Sequence, residues 1–241
     1  MNLAEAKRVL NESGYLLENS KPITVDYINQ KNYICYFGKF INVTGDVNLE
    51  RFEFTKLPIK FGKVGGDFCC QNNVLTSLEG APEEVGGDFY CSGNKLTSLD
   101  GAPREVGGNF QCGHNKLKTL KGAPNKVGED FCCCHNQLTS LKYAPEEVGG
   151  SFECYLNQLT SLEYAPKKVG GSFDCANNYL EDLYGAPEEV GGSFDCHDNQ
   201  LTSLKYAPKK VAWSFYCHEN EHKFTEYDVL EVSNVKDSIH V

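Results

Sequence analysis

The chain has 241 residues, of which 40% are hydrophobic and 23% charged, a balance typical of a folded protein and unlike a disordered one. Its net charge of −10 argues against a surface that follows nucleic-acid phosphates, because such binding relies on Lys and Arg. No stretch approaches the roughly 18 apolar residues of a membrane span. We therefore expect no nucleic-acid partner and no membrane association.

The first 42 residues differ from the rest and are predicted to form an N-terminal cap. Apolar residues spaced three and four apart predict a helix near residues 3–18. Alternating segments at residues 23–28 and 33–37 predict two short strands. Charged residues interrupt the apolar run that a signal peptide requires, so we expect a cytoplasmic protein with reduced thiols.

A repeat of 21 residues dominates the remainder of the chain. Eight valines from Val64 to Val211 keep this spacing without a slip, and Phe, Cys and Asn follow each of them at fixed offsets. A weaker copy begins at Val43. The pattern predicts about nine stacked coils over residues 43–224, which form one repeat domain.

Each fixed position of the repeat has a physical role, as the unit around Phe89 shows. Phe89 and Cys91 alternate with polar residues, which predicts a strand with one buried face. Asn94 follows where the chain must turn, and its amide can bond the backbone of this coil and the next. Gly86 permits a bend or a close approach, and Pro103 keeps the return segment extended.

A lone unit cannot enclose its own apolar side chains, so the coils must stabilise one another by stacking. Strands stacked about 4.8 Å apart would form a continuous parallel sheet along one side of the repeat. The sequence therefore predicts a repeat solenoid with variable side chains on the outer face of that sheet. On the opposite side of the repeat, successive coils carry a Glu pair and then a Lys pair in turn. Each pair therefore lies next to opposite charges on its neighbours, and the resulting exposed ion pairs favour one order of the coils.

The unit resembles the leucine-rich-repeat family, whose hallmark is L-x-x-L-x-L-x-x-N-x-L. Here it reads Phe89-x-Cys91-x-x-Asn94-x-Leu96-x-x-Leu99, and the match covers roughly Val43 to Phe224. It is similar to the short repeats of bacterial effectors and to repeat proteins of bacteria and their phages, although one extra residue and the Gly pair differ. The resemblance implies a parallel sheet on the concave face, a mostly extended or irregular convex side and a protein-binding role. A phage-encoded inhibitor would act in the host cytoplasm.

The variable outward positions are the candidate site for a protein partner. Acidic residues occupy one such position on three successive coils, and neighbouring like charges on a sheet cost up to about 1 kcal/mol per pair. A partner with a basic patch or a bound cation would offset this cost; a well-solvated surface is the alternative. Tyr and His beside the acids suit recognition. The predicted partner-binding residues are Tyr90, Glu153, Tyr155, Asp174, Asp195, His197, Tyr216 and His218.

A second constellation offers an alternative function in metal binding or thiol redox chemistry. Cys132 and Cys134 are expected to point outward, with His135 beside them and His114 one coil earlier. Thiolates and imidazoles suit zinc, but the spacing is not that of a zinc finger or ribbon. No nucleophile elbow, metalloprotease motif or phosphate-binding loop is visible. We therefore predict a non-catalytic protein without a cofactor, and the sequence leaves its oligomeric state open.

Residues 225–241 are predicted to cap the other end of the repeat. Thr225 and Asp228 have the spacing of a capping box, which predicts a closing helix over 226–232.

Overall fold

The computed structural model describes residues 22–241. The helix predicted near residues 3–18 lies outside the described residues, so it stays a prediction.

Each full coil contributes one short strand to each of two parallel sheets. In the described part of the chain, the first sheet, which we call the Val sheet, has eleven strands: Ile23–Val25, Phe40–Val43, Lys60–Val64, Glu84–Val85, Glu105–Val106, Lys126–Val127, Glu147–Val148, Lys168–Val169, Glu189–Val190, Lys210–Val211 and Asn234–Val235. The second, the Phe sheet, has ten strands: Val47–Asn48, Phe68–Cys69, Phe89–Tyr90, Phe110–Gln111, Phe131–Cys132, Phe152–Glu153, Phe173–Asp174, Phe194–Asp195, Phe215–Tyr216 and Ile239–His240.

The register places equivalent residues of successive coils side by side. Phe89 pairs with Phe110, and Val85 pairs with Val106, in parallel ladders. This confirms the predicted parallel-sheet solenoid. The Val sheet was not predicted, because its segment was expected to be extended or irregular. Its outward residues carry the alternating charges, and exposed ion pairs join Lys126 to Glu147 at 3.1 Å and Lys210 to Glu189 at 2.9 Å.

The core lies between the sheets and the return segments. The phenylalanine rings of neighbouring coils stack in one column, with centroids 5.3 Å apart for Phe68 and Phe89 and 5.2 Å for Phe89 and Phe110. Cys91 and Leu96 in the same coil are also fully buried. Because each ring is covered by the coils above and below it, stacking supplies the burial that a single repeat cannot provide.

An asparagine ladder joins the coils where the chain turns. The Nδ2 of Asn94 donates to the carbonyl oxygens of Cys70 and Cys91 at 3.0 Å each, and its Oδ1 accepts from the backbone N–H of Leu75 at 2.9 Å. The predicted role of Asn is confirmed, but the bonds between coils reach the preceding coil. Each Asn therefore satisfies buried backbone groups of two coils at once.

A glycine column allows the coils to approach closely beside the Val sheet. A Cβ on Gly149 would lie 2.0 Å from the carbonyl oxygen of Gly128, a separation that real side chains do not show. Contact between coils therefore favours Gly at the first position of each pair more than the bend alone would, although the last full coil has Ala212 at this position.

The ends of the repeat differ in part from expectation. Tyr33–Tyr36 forms one turn of 3₁₀ helix, where a strand was predicted, and Ile23–Val25 is a strand. Helix α1, Glu226–Val232, is confirmed with its Thr225 and Asp228 capping box. Strands beyond residues 43–224 join both sheets, so the stacking continues past the predicted limits of the repeat. The helices within residues 22–241 lack the length and hydrophobicity of a membrane-spanning helix.

Candidate partner-binding face

The outer face of the Phe sheet is formed by two outward residues of each coil, those immediately before and after the inward Cys. All eight predicted partner-binding residues lie on this face, and each is half-buried. Half-burial arises because the coils are closely stacked, so each outward side chain is flanked by its equivalents on neighbouring coils. The face is therefore a packed surface whose side chains keep one edge open to solvent.

Three acidic residues form adjacent rungs on the C-terminal half of this face. Glu153 pairs with Asp174, and Asp174 pairs with Asp195, in the parallel register. The central carboxyl, Asp174, has its pKa raised to about 6, first by burial and further by the charges of Asp195 and Glu153. Burial is therefore the main reason why Asp174 resists ionisation, and the like charges that the sequence predicted as neighbours add to this resistance.

Histidine and asparagine side chains surround the last acidic rung. The Nδ1 of His197 lies 2.7 Å from Oδ1 of Asp195, and the same oxygen accepts from the backbone N–H of His197 at 3.1 Å. The His197 ring stacks on His218 with centroids 4.7 Å apart, and its Nε2 lies 3.3 Å from Nδ2 of Asn177. These contacts hold the Asp195 carboxylate and both rings in fixed positions.

The C-terminal end of the face includes an aromatic pair. Tyr216 pairs with Asp195 on one side and with His240 on the other. The rings of Tyr216 and His240 are nearly parallel, with centroids 4.4 Å apart. His240 was not predicted from the sequence, because it follows a helix and lies outside the 21-residue pattern.

Tyr90 lies apart from the acidic, histidine and aromatic residues of the C-terminal half. It lies three rungs before Glu153 on the same face, and its hydroxyl donates to Oδ2 of Asp88 at 2.6 Å. This hydrogen bond raises the pKa of Tyr90 above its usual value. The structure therefore brings together the predicted residues of the C-terminal half and leaves Tyr90 apart from them.

The cysteine cluster differs from expectation in its exposure. Cys132 and Cys134 do occupy outward positions, but they are only 3% and 4% exposed. His114 and His135 stack with centroids 4.1 Å apart, and Tyr155 meets His135 edge-on at 5.5 Å. Among residues 22–241, no three His, Cys, Asp or Glu side chains come together as a metal-binding group, so the metal alternative gains no support from the structure.

A row of exposed tyrosines on another edge of the coils was also missed. Tyr143, Tyr164 and Tyr206 have φ angles of +74°, +73° and +71°, at the position before Ala-Pro. Equivalent positions in other coils hold Gly, such as Gly122 with φ of +89°. The sequence contained a signal for this row, because Tyr stands where other repeats have Gly. A residue other than Gly is unfavourable at positive φ, so its presence in a tight turn indicates a role for the side chain. These side chains are about half exposed.

Comparisons with known proteins agree with this architecture. No family model matches the chain, and no curated protein matches it. One solved structure, the leucine-rich effector protein YopM from Yersinia pestis, is 18% identical with a TM-score of 0.50, covering 73% of this chain and 55% of that chain. The chain thus spans about half the length of YopM. The protein therefore has a leucine-rich-repeat solenoid fold similar to that of a bacterial effector.

Proposed function

We propose that the protein is a non-catalytic scaffold that binds another protein through the C-terminal half of the outer face of the Phe sheet. The observation that carries this proposal is the set of acidic rungs Glu153, Asp174 and Asp195. They are adjacent, partly desolvated and mutually repulsive, an arrangement that a partner with a basic patch would relieve. A leucine-rich-repeat fold suits such a role, because an invariant frame presents variable side chains.

The finer form of the proposal is an inhibitor or effector of bacterial or phage origin that acts on a host protein in the cytoplasm. The similarity to a leucine-rich effector supports this direction. Tyr155 and Tyr216 flank the acidic rungs and would add contact area at low cost in conformational entropy.

The acidic rungs can be tested with neutral side chains of the same shape. Immobilised full-length chain would capture proteins from bacterial lysate, and the captured partner would then be purified for affinity measurements. We expect the triple variant Glu153→Gln, Asp174→Asn, Asp195→Asn to bind the partner at least about tenfold more weakly, equivalent to 1.4 kcal/mol. The matched control removes the same charge from exposed positions elsewhere: Glu146→Gln, Glu163→Gln, Glu181→Gln.

Affinity should also depend on pH in a defined direction. Near pH 6 the Asp174 carboxyl of the free protein is partly protonated, because its pKa is raised to about 6. A basic partner favours the ionised carboxylate, so binding releases this proton. We expect affinity to increase as pH rises from about 5 to 7, and this increase to shrink in Asp174→Asn. In the affinity measurement with the triple variant described above, binding equal to that of the wild type would reject this site.

A further inference from the structure

Cys132 and Cys134 form a contact that the partner-binding role does not use. Of the three consecutive cysteines, Cys133 points inward and belongs to the apolar core, whereas its two neighbours lie outside that core on the outer face. The Sγ of Cys132 donates to the Sγ of Cys134 at 2.7 Å, and both thiols are free. Strand alternation has therefore placed two thiols together on the outer face.

A glycine in the preceding coil provides the space for this contact. A Cβ on Gly113 would lie 2.8 Å from the Sγ of Cys134 and 3.5 Å from the Sγ of Cys132. The equivalent positions of other coils carry side chains such as Gln71, Ser92 and Tyr155. The two sulfurs therefore occupy the volume that a side chain would fill in the coil of Gly113.

The thiols differ in their readiness to ionise. Hydrogen bonds from Cys132 and from the Tyr155 hydroxyl lower the pKa of Cys134, even though burial opposes this. The same hydrogen bond and burial raise the pKa of Cys132. Cys134 is thus the better nucleophile. Cys132 is in contact with it and can therefore act as the resolving thiol, which attacks the oxidised Cys134.

We propose that Cys132 and Cys134 are a dithiol site that a peroxide oxidises reversibly to a disulfide. The Cys134 thiolate attacks one oxygen of hydrogen peroxide, so that an S–O bond forms, the O–O bond breaks and hydroxide leaves. Cys132 then attacks the Cys134 sulfur and displaces a second hydroxide. Two protons, one of them from the Cys132 thiol, convert the hydroxides to water. The two sulfurs lose two electrons in total, and the peroxide gains them.

The small size of the oxidant matters because the sulfurs are almost covered. Peroxide has two heavy atoms, so it needs a smaller opening to reach a sulfur than a bulky disulfide reagent does. Cys69 provides a matched comparison. It occupies the same row as Cys132 but has Gln71 where Cys134 stands, and burial raises its pKa to about 11.

The test counts thiols in the full-length chain. Reduced protein would be treated with one equivalent of hydrogen peroxide, denatured and alkylated with N-ethylmaleimide, and its intact mass would be measured by mass spectrometry. We expect the wild type to lose two of its twelve alkylatable thiols and to recover them after dithiothreitol. Cys69→Ser should also lose two thiols. Cys134→Ser should lose none, and Cys132→Ser should instead trap a sulfenic acid on Cys134 that dimedone labels.

Two further variants separate this chemistry from general misfolding. Gly113→Ala should slow disulfide formation, because its methyl group displaces the Cys134 sulfur. Tyr155→Phe should shift the pH profile of the oxidation rate upwards, because removal of the hydroxyl raises the pKa of Cys134. Circular dichroism would establish that each variant is folded before its thiols are counted. The proposal is overturned if the wild type keeps all its thiols, or if Cys134→Ser still loses two.

Discussion

At the residue scale, the asparagine ladder contributes to stability through side-chain hydrogen bonds to the backbone of two coils. Asn136 donates to the carbonyl oxygens of Cys112 and Cys133, and its Oδ1 accepts from the N–H of Leu117. These backbone groups are buried, so the loss of the amide leaves them without partners.

We expect Asn136→Ala to lower the free energy of unfolding by about 2–3 kcal/mol, because buried backbone groups lose their hydrogen bonds. Urea denaturation measures this change. The exposed Gln158 is the control, and Gln158→Ala should stay within about 0.5 kcal/mol of the wild type. A loss under 0.5 kcal/mol for Asn136→Ala would show that the ladder is dispensable.

The glycine column makes a separate prediction about packing between coils. Gly149→Ala places a methyl group against the carbonyl oxygen of Gly128 and should destabilise the chain by about 2 kcal/mol or more, since backbone must move. Ala212 holds the equivalent position in the last full coil, where the backbone already accommodates a methyl group and the N–H still donates to the carbonyl of Val190 at 3.1 Å, so Ala212→Gly serves as the control and should have a small effect. Thermal unfolding compares the two, and similar melting temperatures would contradict the close contact.

Asp174 makes the stability of the protein depend on pH. Its raised pKa means that the folded chain holds a proton that the unfolded chain releases between about pH 4 and 6, so stability falls as pH rises through this range. We expect Asp174→Asn to be more stable than the wild type at pH 7, by on the order of 1–3 kcal/mol, and similar to it near pH 4. Urea denaturation at both pH values measures the difference, and an advantage that is equal at the two would contradict this origin.

At the scale of elements, strand alternation and capping chemistry were predictable from the sequence. Phe89 and Cys91 point inward because they alternate with polar residues, and this local signal recurs in every coil. Helix α1 was predicted because Thr225 and Asp228 satisfy the first turn reciprocally. Both features depend on residues a few positions apart.

The Val sheet could not be predicted in the same way. A strand such as Glu84–Val85 is too short to show alternation, and Pro and Gly on either side indicate irregular structure. It forms because the backbones of successive coils align, as when the N–H of Gly86 donates to the carbonyl of Val64 at 2.9 Å. That alignment is a property of the stack and not of one repeat.

The burial of side chains on the outer face also could not be predicted from the sequence of a single repeat. Alternation correctly placed Cys132 and Cys134 on that face, but their cover comes from neighbouring coils through Gly113 and Tyr155. The same reasoning applies to Asp174, whose pKa is raised first by burial within the stack and then by the carboxylates 21 residues away in each direction. A single coil therefore does not contain the information that determines these environments.

At the scale of the whole molecule, the residues that stabilise the stack are different from the residues that are free to vary on its outer face. The Phe, Cys, Leu and Asn positions repeat because every coil must pack on the next, whereas the outward positions vary without loss of the core. The chemical character of the face changes along the stack accordingly, from the thiols of Cys132 and Cys134 to the carboxylates of the next three coils.

Amide hydrogen exchange of the chain, alone and with its captured partner, tests the proposed binding face most directly. Slower exchange on binding should concentrate at the outer-face segments of residues 153–155, 174–176 and 195–198. The Val-sheet strands Glu147–Val148 and Lys168–Val169 should be unaffected. Protection confined to the Val sheet, or to the exposed edge of Tyr143 and Tyr164, would contradict it.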